Sequence, residues 1–131
     1  MSSIDRRLSG EALIFDLYEQ REAVAADSIL ERNGHNARTL LKDGPMRVVL
    51  IVMAPGAEIP EHDAEGPVIV QPVDGRIRFT AGARDYDLEP GRLLSLGPGV
   101  RHRVSSEEGG AFLLTIAHPG TEDEGEDARS G

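Results

Sequence analysis

The chain has 131 residues, which suits one domain with a core of its own and leaves little room for a second. It has no cysteine, so disulfides, thiolate zinc sites and cysteine nucleophiles are excluded, in keeping with a reducing compartment. Its net charge is −9 with no basic stripe, and it has no tryptophan, which argues against nucleic acid and anionic membrane surfaces as partners.

Residues 1–10 are polar and lack the apolar stretch of a secretory leader. Leu13-Ile14-Phe15 comes next, and then Asp16 and Glu19 stand in capping-box spacing. That spacing predicts a helix over Tyr18 to Ile29, which Asn33-Gly34 ends. From Thr39 onward short β-prone runs alternate with turn residues, the pattern of a sandwich or barrel. The runs are 39–42, 46–53, 68–73, 76–80, 84–88, 92–96, 102–105 and 112–117. Turn pairs such as Pro55-Gly56, Pro90-Gly91 and Gly109-Gly110 separate them, and Asp74-Gly75 marks a hairpin. The run Val48-Val49-Leu50-Ile51-Val52 is apolar on both parities, so it needs cover on both faces, from a second sheet or a dimer partner. The longest apolar run, Val48 to Ala54, is too short to cross a bilayer, so the expectation is a soluble, cytoplasmic protein. Glu122, Asp123, Glu124, Glu126 and Asp127 crowd the end of the chain. The layout expected is an N-terminal extension with a short helix over 1–38, a barrel over 39–118 and a disordered acidic tail over 119–131.

Two segments carry a family resemblance. Residues 56–75 read GAEIPEHDAEGPVIVQPVDG, and residues 91–106 read GRLLSLGPGVRHRVSS. They are similar to the two motifs of the cupins, G-x5-H-x-H-x3-4-E-x6-G and G-x5-P-x-G-x2-H-x3-N. The resemblance covers roughly Thr39 to His118 and implies an all-β fold, a double-stranded β-helix or jelly-roll barrel with a short helical segment before it. Gly56, His62 and Gly75 match the first motif, and Gly91, Gly99 and His102 match the second. Ala64 stands at the second histidine position, Val68 at the glutamate, Gly97 at the proline and Ser106 at the asparagine. Two of the four usual metal ligands are therefore present.

By that resemblance His62 and His102 face each other across adjacent strands at the barrel mouth. They are the candidate ligands for a divalent transition metal such as zinc, nickel, iron or manganese. A catalytic metal needs about three protein ligands and an open position. Gln71 is the nearest third donor on the strand of Val68, but it is one step off parity and needs a bulge to turn inward. Glu58, Glu61, Asp63, Glu65 and His118 are other candidates, and spacing does not choose among them. Without a metal, either histidine can serve as a general base, or the two can hydrogen-bond each other, a backbone carbonyl or a bound anion. Arg76 and Arg78 alternate with Ile77 and Phe79: pointing inward they would clamp a carboxylate or phosphate, and pointing outward they are solvent decoration. Arg101 and Arg103 share that ambiguity, whereas His35 reads as exposed. Ser105 and Ser106 lie near His102 without a nucleophile-elbow motif.

The candidate ligand-binding residues are thus His62, His102, Gln71 and Arg78. The first expectation is a small-molecule-binding or sensing barrel. The alternatives are a metal-dependent enzyme of oxygenase or isomerase type and a structural module that dimerises through Met46–Met53. A homodimer is expected in either case.

Overall fold

A computed structural model describes residues 8–118. The acidic tail, 119–131, lies outside the described residues, as do 1–7.

The helical segment is two helices, α1 (Leu17–Ala25) and α2 (Ser28–Asn33). Asp16 caps α1, its carboxylate accepting from the N–H groups of Tyr18 and Glu19 at 3.1 Å each. The single helix expected from the sequence breaks at Ala26 because Asp27 starts a new one, accepting from the Ile29 N–H at 2.9 Å. Gly34 closes α2 at φ 82, with its N–H on Leu30 O at 2.8 Å.

Nine strands follow: β1 (His35–Asp43), β2 (Met46–Met53), β3 (Ala57–His62), β4 (Val68–Gly75), β5 (Ile77–Ala81), β6 (Arg84–Leu88), β7 (Leu94–Leu96), β8 (His102–Ser106) and β9 (Gly110–Ala117). They form a five-stranded sheet in the order β1-β2-β9-β4-β7 and a four-stranded sheet in the order β3-β8-β5-β6. Every pairing is antiparallel. The two sheets close on each other as a jelly-roll barrel.

The barrel starts earlier than Thr39, because β1 already pairs from His35 to Met53. His35 is therefore half-buried, with its Nδ1 shut off from solvent, and is not the exposed residue expected. The hairpin expected at Asp74-Gly75 is absent: β4 and β5 belong to different sheets, and the glycine turns the chain from one to the other. β3 was not anticipated from the sequence; it is an edge strand that buries only Ala57 and Ile59 in part.

Strand parity divides the apolar residues into two cores. Val68, Val70 and Phe112 from one sheet meet Ile77, Phe79 and Val104 from the other between the sheets. On the outer face of the five-stranded sheet, Leu40, Leu50, Val52 and Ala111 pack against Val24 of α1, with Phe15, Leu17 and Leu30 around them. The second cover that the two-sided strand β2 requires comes over Leu50 and Val52 from the chain's own helices, which removes the need for a dimer partner there. Asn36 Nδ2 to Val24 O (3.1 Å), Arg38 to Gln20 Oε1 (3.0 Å) and an Arg21–Asp74 ion pair fasten the helices to the barrel.

Ser106, at the asparagine position of the second motif, is buried and bridges two segments. Its Oγ donates to Arg76 O at 2.6 Å and accepts from the Gly109 N–H at 2.9 Å. The hydroxyl satisfies a buried backbone donor that would otherwise lack a partner.

Candidate functional site

The register of β3 against β8 sets His62 directly opposite His102, past a bulge between Ile59 and His62. The two imidazoles meet edge to face, with centroids 4.2 Å apart and planes 67° apart. Phe79 stacks on His102 at 5.7 Å and stands edge-on to Phe112 at 5.5 Å. His102 is thus buried between a core ring and the exposed His62.

Each ring ties Nδ1 to the carbonyl two residues earlier: His62 to Pro60 O at 2.9 Å, and His102 to Val100 O at 3.0 Å. A carbonyl oxygen only accepts, so each Nδ1 carries a proton, and in the neutral ring the lone pair is on Nε2. Burial holds the His102 pKa below its ordinary 6.5, against the opposing Val100 carbonyl; His62 adds to the lowering and the Asp63 carboxylate counters it.

A cavity of about 520 Å³ opens at this end of the barrel. Its polar lining is His62, His102, His118, Asp63 and Glu65, and its apolar lining is Ala64, Val68, Leu114 and Ile116. Leu114 and Ile116 enter with Phe112 on the inward parity of β9, and Val68 faces Ile116 across the sheet. The Gly99 N–H donates to Ala64 O at 2.8 Å, which braces the two mouth loops together. Arg101 is paired with Glu61 at 3.3 Å.

The other sequence candidates do not join this cavity. Gln71 is exposed on the outer face of β4, because the bulge in that strand falls between Pro72 and Asp74, after Gln71 rather than before it. Arg78 is exposed on the outer face of β5, and its guanidinium is engaged by Asp87, Nε to Oδ1 at 2.7 Å and Nη2 to Oδ2 at 3.3 Å. A concavity of about 380 Å³ over that face includes both Arg78 and Asp87, so the Arg78 charge there is already answered. Of the third donors considered, Asp63, Glu65 and His118 line the cavity, whereas Glu58 faces the other concavity. The sequence reading did not name Leu114 and Ile116; the alternation Phe112, Leu114, Ile116 was the available signal.

The donor set does not fit a resident metal. Ala64 and Val68, at two of the four ligand positions, put methyl groups into the cavity. Among the described residues no three His, Cys, Asp or Glu side chains are grouped as a metal site needs.

The buried imidazole makes stability depend on pH. With the folded-state pKa of His102 depressed, the unfolded chain takes up a proton first as pH falls. The contribution is fully present above pH 6.5 and is lost as pH drops through the folded-state value. Urea midpoints measured between about pH 7.5 and about pH 5.5 should fall for the native chain and fall less for His102→Gln. Equal losses in the two proteins would show that His102 is not the linked group. Asp87, held low mainly by its hydrogen bond from Arg78, titrates below the ordinary 3.8, outside this window.

No curated protein sequence matches the chain significantly. Solved structures share its fold. A conserved protein of unknown function from Streptococcus pyogenes is 20% identical with a TM-score of 0.66, over 86% of this chain and 93% of that one. An RmlC-like cupin from Shewanella frigidimarina is 23% identical with a TM-score of 0.62, over 70% and 81%. Salicylate 1,2-dioxygenase from Pseudoaminobacter salicylatoxidans is 14% identical with a TM-score of 0.69, over 79% of this chain but only 32% of the enzyme. Among the described residues no helix is long and apolar enough to cross a membrane. The profile of the AraC-like ligand binding domain matches residues 44–129, from the turn before β2 to beyond the last strand, and the chain belongs to that family of the cupin superfamily.

Proposed function

We propose that the chain is a small-molecule-binding barrel whose ligand sits in the cavity beside His62 and His102 and is held without a resident metal. The observation that carries this is the placement of two imidazoles, His62 and His102, beside a wall of Val68, Leu114 and Ile116 in a cavity of about 520 Å³. A mostly apolar cavity of that size with a few polar groups suits a small ligand. The methyl groups at the two lost ligand positions enlarge the apolar wall at the expense of metal affinity.

His62 is the residue to vary, because it is exposed and its loss spares the core. A library of small molecules should contain compounds that raise the melting temperature of the native chain, and His62→Ala should lose most of that response while melting, without ligand, within about 2 °C of the native chain. Protein purified without chelator should carry far less than one transition metal per chain. About one metal per chain, lost in His62→Ala, would overturn the proposal in favour of a metal-dependent enzyme of the oxygenase or isomerase type.

A further inference from the structure

We infer that the ligand is an organic cation: an amine whose N–H groups reach the two imidazoles and whose body is a short apolar ring or chain. This rests on the cavity being the ligand site proposed above and deepens that reading to a chemical class. Three features of the lining point the same way.

The first is the direction of hydrogen bonding. His62 and His102 each spend the Nδ1–H on a backbone carbonyl, Pro60 O and Val100 O, so the neutral form of each ring has an acceptor left for a ligand. Two acceptors on neighbouring rings ask for a ligand with donors, and a carboxylate brings none. The second is charge. Asp63 and Glu65 line the same cavity, and no lysine or arginine does. The nearby guanidinium of Arg101 is held by Glu61. The Asp63 carboxylate favours the charged form of His102, so its charge is felt at that ring. An anion entering here meets carboxylates and lone pairs, whereas an ammonium group meets complementary charge at both. The third is the remaining wall. Ala64, Val68, Leu114 and Ile116 offer no hydrogen bonds, so a polyol would bury hydroxyls without partners. An apolar body avoids that cost.

Three probes of nearly equal shape separate these classes: cyclohexylamine, cyclohexanol and cyclohexanecarboxylate. Each is titrated into the full ¹⁵N-labelled chain, and the imidazole nitrogen signals of His62 and His102 are followed. Cyclohexylamine is expected to shift both rings and to bind about tenfold or more tightly than the alcohol, and more tightly still than the carboxylate. In the double variant Asp63→Asn, Glu65→Gln, whose changes are confined to exposed positions, the amine should lose most of its advantage while the alcohol binds as before. If the carboxylate or the alcohol shifts the rings at equal or lower concentration than the amine, the cation is wrong and the site stands. If no probe moves either histidine, the ligand is not held here, and the cation falls with the site.

Discussion

Gly75→Ala is expected to cost about 2–5 kcal/mol and to lower the melting temperature by roughly 10 °C or more. Gly75 sits at φ 74, where an L side chain is strained, and a Cβ there would lie 2.2 Å from Gly109 O and 2.6 Å from the Gly110 Cα. Both neighbours are backbone, so neither can swing away. The position lies where β4 leaves the five-stranded sheet for β5, and it pairs with Gly110. Two glycines facing each other let the two segments approach more closely than any other pair of residues permits. A thermal melt decides the matter: a Gly75→Ala chain that melts within about 2 °C of the native one would show that the crossover relaxes freely. The final glycine of the first cupin-like motif thus has its reason in the crowding at this crossover.

Phe79→Ala is expected to cost about 3–5 kcal/mol and to disturb the ligand site as well. Phe79 is 1% exposed and touches Phe112 on one side and His102 on the other. Removing it opens a cavity behind His102 and frees the ring that the phenyl group now steadies. Phe79→Leu separates the two effects. It keeps most of the buried volume, so denaturant unfolding should show a loss of about 1 kcal/mol, yet it removes the flat face on which the imidazole stacks. Ligands that stabilise the native chain should stabilise Phe79→Leu less. Equal stabilisation of both proteins would mean that the Val100 hydrogen bond and the His62 contact hold His102 without the phenyl face.

Much of this was legible in the sequence, and the exceptions have local causes. β2 and β6 fall on the residues their patterns indicate, because turn residues bound both runs; β-branched residues fill β2, and Tyr86 and Leu88 alternate with aspartates in β6. β3 escaped because Glu58, Pro60 and Glu61 leave it too little alternation to read, and an edge strand with one bare face needs no more than Ala57 and Ile59. The Asp74-Gly75 pair was misread because an isolated turn signal says nothing of which sheet the next strand joins. The facing of His62 and His102 followed from the motif resemblance, and their register bears it out. Which imidazole nitrogen carries the proton was beyond the sequence, because it depends on carbonyls that only the loop geometry aims at them. Gln71 and Arg78 were uncertain for one reason, the side of a strand they occupy, and both lie outward.

The division of the apolar residues into two cores sets an order in which the barrel can loosen. β9 has a hydrogen-bonded neighbour on each side and packing on both of its faces, so its amides should exchange with solvent last. β3 has one neighbour and an exposed face, so its amides should exchange among the first of any strand. His62 closes that strand, and the cavity opens beside it. The edge that loosens most easily is therefore the one beside the cavity, and the five-stranded sheet can stay closed while it does.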